Sequence, residues 1–127
     1  MKLHPFRAVD GVPFSVSRED LLRTRGMPTR QGRNDVGLNE LDYDDVVFRF
    51  QDSGRLEEIT VQAPVLHLGQ VSVPFPALGQ FVRDNDPCAF ARAGFLVSPA
   101  FGLAFDPHCP SWVTALAEHC IDEWRAL

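Results

Sequence analysis

No stretch of this chain is long and apolar enough to read as a membrane span. The opening residues, Met1-Lys2-Leu3-His4-Pro5, lack the apolar run of a signal peptide. No cysteine near the start offers a site for lipid attachment. The three cysteines, Cys88, Cys109 and Cys120, are odd in number and without framework spacing, which implies reduced thiols and a cytoplasmic protein. Tyrosine is nearly missing, one against ten phenylalanines, so a core filled by rings without polar handles is expected. There is no Gly-rich phosphate loop, dinucleotide fingerprint or G-x-S-x-G elbow, and no cofactor is implied.

What is there fits one domain spanning residues 1–127, with 45% hydrophobic and 23% charged residues. The net charge of -5 is unevenly spread. Residues 1–33 carry +4, residues 34–62 carry -6 and the remainder carries -3. A basic head followed by an acidic middle does not supply the continuous basic face that nucleic acid requires. It suits a basic protein partner, or else acids that merely solvate a surface hairpin.

Local signals then give the elements. Val12-Pro13-Phe14 is extended, and Ser17 caps a helix that Gly26 and Pro28 end near residue 26. Residues 31–39 are polar and carry Gly32 and Gly37, which predicts a loop. Residues 41–50 and 56–61 form a hairpin about Asp52-Ser53-Gly54-Arg55, with Asp44-Asp45 predicting a bulge in the first strand or a late start to it. Residues 65–73 fold as a small hairpin at Gly69-Gln70, a second helix spans about 76–84, and residues 90–97 pair with 101–105. Apolar Trp112, Val113, Leu116, Ala117, Cys120, Ile121 and Trp124 recur at helical spacing, predicting an amphipathic helix over 110–126 with both tryptophans buried. The expected fold is therefore α+β: a mainly antiparallel sheet of hairpins, two short helices and a longer C-terminal helix. The order Val-Pro-Phe, helix, hairpin occurs twice, from Val12 and from Val73, by chance or by duplication.

Catalytic residue types gather only at His108-Cys109 and His119-Cys120. As a zinc site the two pairs fail on spacing, since ten helical residues would hold them roughly 15 Å apart. Cys109, at the start of the expected helix, could have its thiol activated by the exposed backbone N–H groups, or could be a small capping-region residue. The carboxylates of Asp42, Asp44 and Asp45 do not follow the twelve-residue calcium-loop pattern.

The run Val12 to Leu22 followed by Gly26-Met27-Pro28, and then Tyr43 to Phe50 with Gly54 to Ile59, resembles part of the outline of SmpA/BamE-type outer-membrane assembly lipoproteins. Without their export signal and lipidated cysteine, it is similar to small cytosolic bacterial immunity proteins that neutralise toxins. The resemblance covers residues 12–61 by pattern. It implies a non-enzymatic cytoplasmic protein that occludes a cognate toxin, with no metal and no membrane. The resemblance carries over no binding residue; from the acidic stretch itself, Asp42, Asp44, Asp45, Glu57 and Glu58 would pair with basic residues of the toxin, and Tyr43 would anchor it or else pack on the sheet. An adaptor or chaperone for a secreted effector, and a small cysteine enzyme using Cys109, are the alternatives.

Overall fold

The computed structural model describes all 127 residues, and it is mostly β. The first half runs β1 (Lys2–His4), β2 (Ala8–Val9), β3 (Val12–Pro13), α1 (Arg18–Arg25), β4 (Arg30–Arg33), β5 (Asn39–Asp42), β6 (Val46–Phe50) and β7 (Leu56–Gln62). The second runs β8 (Val65–Leu68), β9 (Val71–Pro74), α2 (Phe75–Asn85), β10 (Phe90–Arg92), β11 (Phe95–Ser98), β12 (Leu103–Phe105), β13 (Trp112–Leu116) and α3 (Cys120–Arg125). Thirteen strands in two sheets and three short helices replace the expected α+β arrangement.

The larger sheet has the order β10-β11-β12-β13-β7-β6-β5-β4, and every neighbouring pair is antiparallel. Two four-stranded meanders thus meet through their last strands, β7 and β13. Each meander follows a hairpin and a helix, β2-β3-α1 in one half and β8-β9-α2 in the other, and the two Val-Pro-Phe tripeptides lead into those helices. The smaller sheet, β3-β2-β1-β8-β9, ties the halves together by a parallel pairing of β1 with β8.

One face of the large sheet meets the small sheet and helices α1 and α2. Phe48, Phe50, Ile59, Leu103, Phe105 and Val113 from the sheet bury against Leu3, Leu66, Leu21, Phe75, Leu78 and Val82. At roughly 1.5–3 kcal/mol for each large apolar side chain taken from water, this cluster is the main source of stability. The opposite face is divided. Val97, Ala104 and Leu116 carry a smaller apolar cluster with Ala117, Cys120 and Ile121, so α3 packs there, while Arg49, Glu58 and Thr60 leave the neighbouring strip polar.

The helices α1 and α2 form where expected. Ser17 Oγ accepts from the Asp20 N–H at 3.0 Å, and Gly26 ends α1 at φ 78°. The long C-terminal helix does not form. Residues 112–116 are a strand paired with β7 over five residues, and only Cys120–Arg125 is helical. A strand covered on both faces reads as an unbroken apolar run, which periodicity cannot separate from a buried helix. Trp112 and Trp124 are accordingly half-buried and not fully enclosed.

One other expectation changes: the segment expected as a loop over 31–39 begins as the edge strand β4. At Asp44-Asp45, of the bulge or late strand start expected, the structure has the late start: β6 begins at Val46, after a tight hairpin turn in which Tyr43 N–H donates to the Val46 carbonyl at 2.9 Å, with Asp44 at φ 73°. The bulge itself lies further along. Arg49 pairs with Glu58 and Phe50 with Leu56, so Glu57 is the extra residue.

Candidate functional site

That bulge sets the site. In a regular strand Glu57 would point into the Phe48–Ile59 side of the sheet; the extra residue turns the chain so that neighbouring Leu56 and Glu57 are both buried. Glu57 is 1% exposed, and its carboxylate lies beside α3. The two segments are stitched together by backbone: Ala117 N–H donates to the Glu57 carbonyl at 2.9 Å. The Cys120 thiol donates to the same carbonyl at 3.4 Å and lies 3.3 Å from Glu57 Oε2. His119 Nε2 abuts Glu57 Oε2. Arg55 stands 3.6 Å from Glu57 Oε1, which has no hydrogen-bond partner.

Outside this buried cluster opens a cleft of about 670 Å³ between the turns 34–38 and 51–54 and the helix α3. Its acids are Asp52, Glu57, Glu58 and Glu123; its apolar walls are Val36, Leu38, Trp124 and Leu127. Asn34 Oδ1 accepts from Val36 N–H at 3.1 Å and from Leu38 N–H at 2.8 Å, fixing a turn that leaves Val36 74% exposed. Asp52 is held by Arg33 at 2.6 Å and by the Asn39 amide at 2.9 Å.

The electrostatics of the cleft are those of crowded carboxylates. Burial, and then the charges of Glu57 and Glu123, push Glu58 above the ordinary glutamate range, while the Arg49 guanidinium and the Trp124 indole offset part of the rise. Burial, followed by the adjacent Glu57 carboxylate, drives the Cys120 thiol far upward, so it is no nucleophile at neutral pH. Trp124 packs on Phe95 with ring centroids 5.3 Å apart and also walls a smaller groove containing Arg49, Thr60, Thr114, Cys109 and Trp112.

The residues singled out in the sequence are scattered. Glu57 and Glu58 line the cleft. Asp42 and Asp44 instead share the Arg30 guanidinium, each at 3.0 Å, on the far turn, and Asp45 is exposed beside them. The Asp44 N–H, and then Arg30, hold Asp42 below the usual carboxylate range. Tyr43 is built into the fold: its hydroxyl donates to the Gly26 carbonyl at 2.9 Å and its ring meets Phe48 edge-on at 6.0 Å. Cys109 stands exposed in the turn before β13 and not at a helix start, so the expected activation by a helix end is lost. His108 is 94% exposed and 3.5 Å from Asp106.

Glu123, Trp124 and Val36 were not legible as site residues, because the helical reading of 110–126 turned Trp124 inward. One signal was available. Leu56 is out of phase with Ile59 and Val61, the slip that a bulge at Glu57 produces.

No protein-family model matches this chain, and no curated protein or solved structure matches it significantly. No helix is long and apolar enough to cross a membrane.

Proposed function

We propose that this chain is a non-enzymatic binding protein that neutralises a toxin by occluding it, and that its cleft accepts a basic side chain of that partner. One observation carries the basic-partner reading: the cleft pairs an acidic floor, Glu58 and Glu123, with apolar walls, Trp124 and Val36. A lysine or arginine is the side chain that needs both, an aliphatic stem to lie on apolar surface and a cation to reach the carboxylates. An indole wall adds cation–π attraction of roughly 0.5–2 kcal/mol. Isolated exposed apolar residues need no explanation, but Val36 and Leu127, 74% and 68% exposed, stand at one acidic cleft.

That the partner is a toxin rests on the resemblance of residues 12–61 to immunity proteins; that it is basic rests on the cleft. The surplus negative charge of the chain would speed encounter with a basic partner, and the seated side chain would slow its release.

The test has two steps. The wild-type chain is used to capture its partner from the source cells, and that partner is then expressed in a host with and without the chain. Growth arrest by the partner, relieved by the chain and not by a Glu58→Gln/Glu123→Gln/Trp124→Ala variant, is the expected result. A captured partner that is harmless to the host removes the toxin reading.

A further inference from the structure

We propose that Glu57, His119 and Cys120 form a zinc site behind the docking cleft, sharing Glu57 with its wall. A carboxylate, an imidazole and a thiol are the three side-chain types that bind zinc, and here one atom of each lies within 4.8 Å of the others. In a tetrahedral site with metal–ligand bonds of about 2.0–2.3 Å, neighbouring ligand atoms stand roughly 3.3–3.8 Å apart. The three donors are within reach of one ion, with His119 Nε2 moving out from Glu57 Oε2 to take its own corner.

The backbone holds the donors in place without one. The bulge delivers Glu57, and the bond from Ala117 N–H to the Glu57 carbonyl fixes the chain just ahead of His119-Cys120. A second observation points to a ligand: the Glu57 side chain is 1% exposed and its Oε1 is in no hydrogen bond. A buried polar atom left unpaired is uncommon in a folded protein. Arg55, 3.6 Å from Oε1 and itself half exposed, compensates the carboxylate incompletely.

The donor set selects the ion. Magnesium and calcium take oxygen ligands, and a thiolate with an imidazole favours zinc. Charge agrees as well, since one carboxylate and one thiolate neutralise a divalent ion beside a neutral imidazole. Binding breaks the S–H bond of Cys120, forms a sulfur–zinc bond and releases one proton to solvent. No electron is transferred. His119, whose side chain is 30% exposed, opens the path by which the ion enters. The fourth position falls to a water. In sequence the site was invisible, because Glu57 lies 62 residues before His119.

Chelator-treated protein titrated with cobalt(II) alone tests this. One equivalent should produce the near-ultraviolet thiolate-to-cobalt absorption and the intense visible bands of a tetrahedral ion, with zinc displacing both. The absorption should persist in Cys88→Ser/Cys109→Ser and vanish in Cys120→Ser. His119→Ala, at a half-buried position that leaves the core intact, should fold and weaken binding by about tenfold or more. Absence of the thiolate band in the wild type overturns the proposal. So does a band that depends on Cys88 or Cys109, or a folded His119→Ala variant that binds as tightly as the wild type.

Discussion

Thr60 on β7 and Thr114 on β13 lie directly opposite one another, and their hydroxyls share a 2.8 Å hydrogen bond across the seam where the two four-stranded halves join. Thr60 also accepts from Arg49 at 2.6 Å, and either hydroxyl can donate in the bond to Thr114, which is 8% exposed. Replacing Thr114 with Val keeps the shape and removes the bond. Urea unfolding should show a loss of about 1 kcal/mol for Thr114→Val, and a double-mutant cycle with Thr60→Val should give a coupling of about 0.5 kcal/mol or more. Strict additivity would mean the seam is held by the ladder alone.

Gly102 makes a sharper prediction about packing. It sits at φ 63°, and a Cβ there would lie 2.9 Å from a ring carbon of Phe6. Gly102→Ala therefore combines a disfavoured backbone with an aromatic ring that must move. A cost of about 1–3 kcal/mol in the same urea assay is expected. Wild-type stability in this variant would mean that Phe6 does not pack on that turn.

Asp86, 3% exposed, gives a pH test. Burial raises its pKa, but bonds from Ser98 Oγ at 2.6 Å and from the Ala100 and Cys88 N–H groups outweigh that and leave it below the usual range. A carboxylate depressed in the folded state contributes stability above its unfolded value, about pH 4, and loses it as pH falls through the folded value. Asp86→Asn should cost about 1.5–3 kcal/mol at neutral pH. The gap to wild type should shrink below about pH 4. A gap unchanged down to acid pH contradicts the assignment.

Glu58 runs the other way. Its folded pKa is raised, so between its ordinary and its folded values the native state holds more protons than the unfolded one. Stability is then lost as pH rises through that interval. Removing the charge with Glu58→Gln should make the variant gain on wild type as pH rises above about 4 in paired melts. A basic side chain seated on Glu58 would favour its ionised form, so partner binding should release a proton and tighten as pH rises through the same interval. A variant that loses ground with rising pH would show that Arg49 outweighs the crowding.

Two helices and several hairpin turns are legible because they are written locally, while the two-sheet architecture is not. Ser17 with Gly26, Gly69-Gln70, and Asp52 to Arg55 are turn and cap chemistry that acts within a few residues. The segment 112–116 was not, because its choice of strand over helix is made by β7, some fifty residues earlier in the chain. The site suffered for the same reason. Glu57 and Glu58 could be picked out from charge, but Glu123 and Trp124 join them only once the C-terminal segment has become a strand, a turn and a short helix. Asp42 and Asp44 look available in sequence and are instead held by Arg30, which opens the edge strand β4 just ahead of the 31–39 segment expected as loop.

The central claim is that the cleft, and not the Arg30-bound acids, receives the partner. The most direct measurement is the affinity of the captured partner for wild type, for Glu58→Gln/Glu123→Gln/Trp124→Ala, and for Asp42→Asn/Asp44→Asn/Asp45→Asn, by surface plasmon resonance over a range of salt. Loss of a central aromatic anchor is worth about 2 kcal/mol or more, roughly thirtyfold in Kd. The account predicts at least that loss for the cleft variant, mostly as faster dissociation, and a change of less than about threefold for the Asn variant, the size expected for rim charges. Wild-type affinity in the cleft variant, with the loss falling on the Asn variant, would contradict it and move the interface to the turn at Tyr43–Asp45.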